Sequence, residues 1–286
     1  MKAAPEPEPF ELAGPAGVLR GESVGEGPVV LTAHGLTATR RYVLHGSRHL
    51  LRRGYRLVSY DARGHGESDP APPDAGYAYA ELAADLGAVA ERFSPERRVI
   101  LVGHSMGAHT VTRWALERPE RVAALVVAGP TSLGELPSEE ALARWDRLAS
   151  GLEQGGVEGF IAAYDQGLDP RWREVLVRLA RQRLGLHRHP EAIARALREV
   201  PRSLPFEGLE QLERLAVPCL VVGSRDESDP EHPLAVAREW AERIPGARLV
   251  VEPEGASPLA WSGGRLSREI ESFCTEPDVA ARLQAP

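Results

Sequence analysis

The pentapeptide Gly103-His104-Ser105-Met106-Gly107 is the stretch of this chain best suited to covalent chemistry. It follows the apolar run Val99-Ile100-Leu101-Val102 and opens a helix-compatible stretch from Ala108 to Glu117. A strand, a sharp turn and a helix with serine at the apex present a hydroxyl above a sheet, at the positive end of a helix. That hydroxyl is inert at neutral pH until a base takes its proton. An acid could come from Gly223-Ser224-Arg225-Asp226, which closes the apolar run Cys219-Leu220-Val221-Val222. Asp229 is a second carboxylate three residues on, and Asp226 could instead cap the helix that follows. The nine histidines are His34, His45, His49, His65, His104, His109, His187, His189 and His232, so none follows the last strand-like run, Arg248 to Val251.

The elements that must hold these groups follow from periodicity. Phe10 to Gly27 reads as a hairpin or two short strands. Pro28 to Ala33, Tyr55 to Tyr60, Arg98 to Gly103, Ala123 to Ala128, Pro218 to Gly223 and Arg248 to Val251 read as buried strands. Helical spacing is expected over Arg40 to Arg53, Tyr79 to Phe93, Ala108 to Glu117, Pro233 to Ile244 and Arg265 to Phe273. That alternation predicts an α/β fold with a doubly wound, mostly parallel sheet. From Thr131 to Pro205 strand-like runs vanish. Helical stretches follow one another there: Ser138–Ser150, Val157–Gln166, Arg171–Leu186 and Pro190–Val200. The expected organisation is therefore a sheet core over 1–130 and 206–286, with a helical lid inserted over 131–205.

Several markers, each at a strand end and in one order, resemble the α/β-hydrolase family over nearly the whole chain. They are His34-Gly35, then Asp61-x-Arg63-Gly64-x-Gly66-x-Ser68, the Gly-His-Ser-Met-Gly elbow, Gly223-x-x-Asp226, and Pro253-Glu254-Gly255 after the final strand. The resemblance implies Ser105 as nucleophile and Asp226 as the acid that orients a histidine. It also implies the backbone N–H groups of Leu36 and Met106 as the oxyanion hole. Members of the family often carry Gly-His-Ser-Pro-Leu after the last strand. Here the segment reads Gly255-Ala256-Ser257-Pro258-Leu259, so Ala256 stands at the histidine's position, thirty residues beyond Asp226.

Three readings follow. The intact surroundings of Ala256 favour an inactivated variant of an active serine hydrolase, nearly inactive as written. The loss of a triad histidine costs about 10⁶ in turnover. A natural non-catalytic relative that binds a ligand in the same pocket is the second reading. The third is that another histidine serves. Against the third, His34 is expected to buttress the oxyanion loop, His65 to support a turn, His109 to pack, and His232 to start the helix after Asp226. His187 and His189 are expected in solvent.

Serine at the elbow disfavours the aspartate-dependent dehalogenases and epoxide hydrolases of this fold. It leaves carboxylic esters as the default substrate, with lactones and C–C bonds as alternatives. Trp145, Tyr164, Trp172 and Trp261 suggest an apolar pocket, or simply packing. The chain has 286 residues and a net charge of −7 with no basic stripe, which argues against nucleic acid. Met1 to Pro9 lacks the apolar core of a secretory signal, and no run is long enough to span a membrane. Cys219 and Cys274 read as buried thiols of a cytoplasmic protein. No metal and no cofactor is expected, and the expected partner is a small ester-like molecule.

Overall fold

Each of the six apolar runs becomes a strand of one sheet. The computed structural model describes residues 5–254 and 261–284. Strands β1 (Glu8–Gly14) and β2 (Gly17–Val24) form the antiparallel hairpin expected at the N-terminus. The others are β3 (Val29–Ala33), β4 (Arg56–Tyr60), β5 (Val99–His104), β6 (Val122–Ala128), β7 (Cys219–Gly223) and β8 (Arg248–Val251). The order is β1-β2-β4-β3-β5-β6-β7-β8, parallel throughout from β4 to β8.

The helices are α1 (His49–Arg52), α2 (Tyr79–Phe93), α3 (Met106–Glu117), α4 (Glu139–Tyr164), α5 (Arg173–Leu184), α6 (Pro190–Glu199), α7 (Leu234–Arg243), α8 (Gly263–Cys274) and α9 (Pro277–Gln284). Alternation along the strands sends Leu31, Leu101 and Leu125 to the face covered by α2, α3 and α7. Val30, Ile100 and Val126 go to the face covered by α8 and α9. Burial on both faces is what continuous apolar strands require, at about 1.5–3 kcal/mol for each large side chain enclosed. Both cysteines are buried free thiols.

Residues 40–53 depart from the expected helix. Only a 3₁₀ turn at Arg40–Tyr42 and the short α1 form. His45 and Gly46 take left-handed φ of 46° and 72°, which no helix accommodates. Arg40 is meanwhile drawn to Asp61 and Glu67.

Between β6 and β7 the described chain is helical, as the pattern from 131 to 205 requires. The stretches expected at 138–150 and 157–166 form one element, α4, broken at Gly156 with φ 60° and ψ −147°. Helices α4 and α6 pack together, and their apolar faces share a cluster with Leu36, Met106, Tyr77 and Leu82 of the sheet core.

Candidate active site

Ser105 sits between β5 and α3 with φ 54° and ψ −118°, a conformation that costs a non-glycine residue roughly 1–3 kcal/mol. Its N–H donates to Ala128 O at 3.0 Å, which ties the turn to β6. The flanking glycines have no substitute here. A Cβ on Gly103 would lie 2.2 Å from Gly107 O, and one on Gly107 would lie 2.0 Å from Ala33 O. The elbow is therefore a close crossing of β3, β5 and α3, with a strained serine at its tip.

The turn after β3 abuts this tip. A Cβ on Gly35 would lie 3.3 Å from Ser105 Cβ, so the Gly35–Leu36 peptide borders the nucleophile. Two buried histidines hold that turn. His34 Nε2 accepts the Ala62 N–H at 2.9 Å, which leaves its Nδ1–H to donate to Gly35 O at 2.9 Å. Burial drives this ring's pKa down to about 3, so it stays neutral. His65 bridges Leu36 O at 2.6 Å and Arg63 O at 2.9 Å. Burial lowers its pKa as well, so a neutral ring donates to only one of the two carbonyls. Both histidines behave as expected supports.

His187 does not lie in solvent as expected. Its Nδ1 accepts the Gly66 N–H at 2.8 Å, and its Nε2–H donates to Thr37 O at 3.2 Å. Burial brings its pKa to about 3. The loop between α5 and α6 is thus pinned to the Leu36 turn through Thr37 and to the loop after β4 through Gly66. No periodicity marks such a contact, which spans 121 residues of sequence.

On the acid side, Asp226 lies in the loop after β7. Its Oδ1 accepts the Ser228 N–H at 2.9 Å and the Ser228 hydroxyl at 2.7 Å. These bonds shape a turn well before α7 begins at Leu234, so Asp226 does not cap that helix. Glu252, buried at the end of β8, accepts the Ser224 hydroxyl at 2.8 Å and also the Arg225 N–H. Trp261 Nε1–H donates to Gly223 O at 2.8 Å. Both flanks of the 255–260 segment are therefore bonded to the loop that carries Asp226. Ala256 lies outside the described residues.

Asp229 and His232 form an acid–histidine pair in the same loop. His232 Nδ1 lies 2.9 and 2.8 Å from the two Asp229 carboxylate oxygens. The His232 ring packs on that of His104, with centroids 5.1 Å apart. Its Cδ2 would lie 3.0 Å from a Cβ on Gly129, the residue after Ala128. The pKa of Asp229 is set by burial, which raises it, and by the His232 hydrogen bond and charge, which overcome burial and lower it. His232 thus turns into the sheet top rather than simply starting α7.

Of the expected aromatics, Trp145 and Tyr164 pack on the cluster that includes Leu36 and Met106, and Tyr164 stacks on Phe160. Trp261 packs on the opposite cluster with Leu266 and Ile270. Trp172 joins neither cluster. Among the described residues no His/Cys/Asp/Glu group is suited to hold a metal ion. None of the described helices is long and apolar enough to cross a membrane.

A mostly parallel sheet, a strained serine at a strand–helix elbow and a supported Gly-x turn beside it define the class. Residues 28–262 match the alpha/beta hydrolase fold family, and the chain belongs to it. It is 32% identical over 231 residues to a Klebsiella pneumoniae protein that carries the name carbamate hydrolase RutD, covering 80% of this chain and 84% of that one. An esterase from Thermogutta terrifontis superposes with a TM-score of 0.75 at 23% identity, covering 93% of this chain and 97% of that one. The enol-lactonase of Burkholderia xenovorans gives 0.71 at 20%, covering 95% and 100%. At such identities the solved structures speak for the fold alone. The chain is a hydrolase of this superfamily.

Proposed function

We propose that the chain hydrolyses acyl compounds, carboxylic esters first among them, through an acyl-enzyme on Ser105. The single observation that carries this reading is the strained Ser105 φ of 54° at the β5–α3 elbow, with the Gly35–Leu36 turn against it. Such strain persists where function demands it. Ser105 Oγ attacks the carbonyl carbon and its proton passes to a base. The backbone N–H groups of Leu36 and Met106 receive the oxyanion, the alcohol leaves with the proton, and water repeats the sequence on the acyl-enzyme. Asp226 is the acid of the ordinary triad, and the sequence carries Ala256 where that triad has its histidine. This chain is therefore a slow catalyst. Trp145 and Tyr164 pack on the cluster that holds Leu36 and Met106, and this apolar surrounding suits an uncharged acyl or alcohol group. The likeness to a protein named a carbamate hydrolase adds carbamates to the acyl classes worth testing.

The test compares the chain with its Ala256→His variant on p-nitrophenyl acetate, p-nitrophenyl butyrate and a p-nitrophenyl carbamate, with intact-mass detection of acylation. The expected result is turnover raised about 10³-fold or more by the histidine, since the full base is worth about 10⁶. Absence of acylation at Ser105 in both proteins overturns the reading.

A further inference from the structure

In the ordinary arrangement a histidine stands between an acid after β7 and the serine at the elbow. Its Nδ1–H is held by the carboxylate and its Nε2 is open to the hydroxyl. With Ala256 in that position, the same chemistry has to be sought on other residues. Asp229 and His232 supply most of it. His232 Nδ1 lies within 2.9 Å of both Asp229 oxygens. Such a pairing fixes the proton on Nδ1 and leaves Nε2 as the basic nitrogen. Nε2 is buried and has no hydrogen-bond partner among the described residues. A buried acceptor without a partner costs stability, so its retention calls for an explanation.

The position of the ring is equally informative. It lies against His104, the residue immediately before Ser105, and against Gly129, which follows the carbonyl that accepts the Ser105 N–H. The His232 ring therefore lies beside the elbow, between the His104 ring and the end of β6. Around it stand His104 from β5, Asp229 from its own loop, and Arg183 from α5, whose charge also bears on Asp229 and His104.

We infer that His232, oriented by Asp229, is the proton acceptor for Ser105 in this chain, a displaced base in place of the residue missing at position 256. The inference rests on the Ser105 nucleophile proposed above. In the step, the Ser105 O–H proton passes to His232 Nε2 while Oγ bonds to the acyl carbon. The proton then passes from the imidazolium to the departing alkoxide as the acyl C–O bond breaks. Water repeats the exchange in deacylation, so neither oxidant nor metal is needed.

The experiment measures the rate at which a fluorophosphonate labels Ser105, read by intact mass. The proteins are the chain itself and its Ser105→Ala, His232→Ala, His232→Gln, Asp229→Asn and Ala256→His variants. Thermal melts report folding. General-base contributions run to about 10²–10⁴. Labelling is therefore expected to fall about 100-fold in both His232 variants and by less in Asp229→Asn, and to vanish in Ser105→Ala. Free imidazole should restore a measurable part of the rate to His232→Ala, which a structural role would not allow. Unchanged labelling in folded His232→Ala overturns the inference and leaves Ser105 as nucleophile. So does labelling seen only after Ala256→His. Loss of labelling in both His232 variants with a collapsed melt and no imidazole response assigns His232 a structural role and also overturns it. If neither the chain nor Ala256→His is labelled at Ser105, the nucleophile reading fails and the displaced base falls with it.

Discussion

Glu252 Oε1 accepts the Ser224 hydroxyl at 2.8 Å, and this bond joins the ends of β7 and β8 beneath the loop that carries Asp226. The same oxygen accepts the Arg225 N–H. Replacing Glu252 with alanine takes the acceptor from a half-buried hydroxyl and from the amide of an exposed residue, at about 0.5–1.5 kcal/mol each. Glu252→Ala should unfold at lower urea. If Asp226 works with a base at position 256, the substitution should also erode the activity gained by Ala256→His. Unchanged kinetics with lowered stability would confine Glu252 to holding the strands.

Relief of strain at the elbow gives a second prediction. Ser105→Gly and Ser105→Ala both remove the hydroxyl, but only glycine tolerates φ 54°. Ser105→Gly should be the more stable of the two by about 1 kcal/mol, seen as a higher melting temperature. Equal melts would mean that the elbow relaxes once the hydroxyl is gone.

Acid should unfold the protein through its histidines. His34, His104, His109 and His187 are each held near a pKa of about 3, chiefly by burial. Depressed in the folded state, they bind protons more readily when unfolded, near pH 6.5. Their contribution is therefore complete above about pH 6.5 and is lost as pH falls towards 3, at up to about 1.4 kcal/mol per pH unit for each ring. Urea unfolding followed from pH 7.5 to 4.5 should show a steep loss, and His187→Gln should lower the slope by one proton.

The buried pair Arg63 and Asp85 offers a purely structural test. Arg63 Nε and Nη2 donate to the two Asp85 oxygens at 2.6 and 2.8 Å, with both side chains almost fully enclosed. Asp85→Ala leaves the buried guanidinium with Glu81 at 3.5 Å and the carbonyls of Gly76 and Glu81, and should cost about 3 kcal/mol in denaturant unfolding. A loss under 1 kcal/mol would mean that the guanidinium finds water or another partner.

A last prediction concerns α4. Gly156 holds φ 60° and ψ −147°, where an alanine is strained by roughly 1–3 kcal/mol. Gly156→Ala should favour a straighter helix and move Tyr164 and Phe160 relative to Leu36. The expected readout is a changed KM for p-nitrophenyl butyrate with little change in Ser105 labelling.

The sheet was legible because buried parallel strands are written as continuous apolar runs, and all six appeared where they read. Ser105 was legible because Gly103 and Gly107 are imposed by close backbone crossings that no other residue permits. The helix expected over 40–53 failed because Val43, Leu44, Leu50 and Leu51 give helical spacing without revealing the left-handed turn at His45 and Gly46. The contacts of His187 and Glu252 were not legible, and Asp229 and His232 could be singled out one by one but not as a bonded pair. Each acts on partners brought near by topology, and no local pattern encodes a contact across the sheet.

The order of strands has a consequence for how the protein comes into being. Everything up to Ala128 supplies six adjacent strands, Ser105 and Leu36 among their connections, whereas β7 and β8 add later along one edge. In a growing chain Ser105 and its six strands are thus synthesised before Asp226, Asp229 or His232. The helical insertion between β6 and β7 is the seam between the two halves. Severed there, the protein would divide into one fragment bearing Ser105 and another bearing Asp226, Asp229 and His232, with the β6–β7 edge as the sheet seam between them.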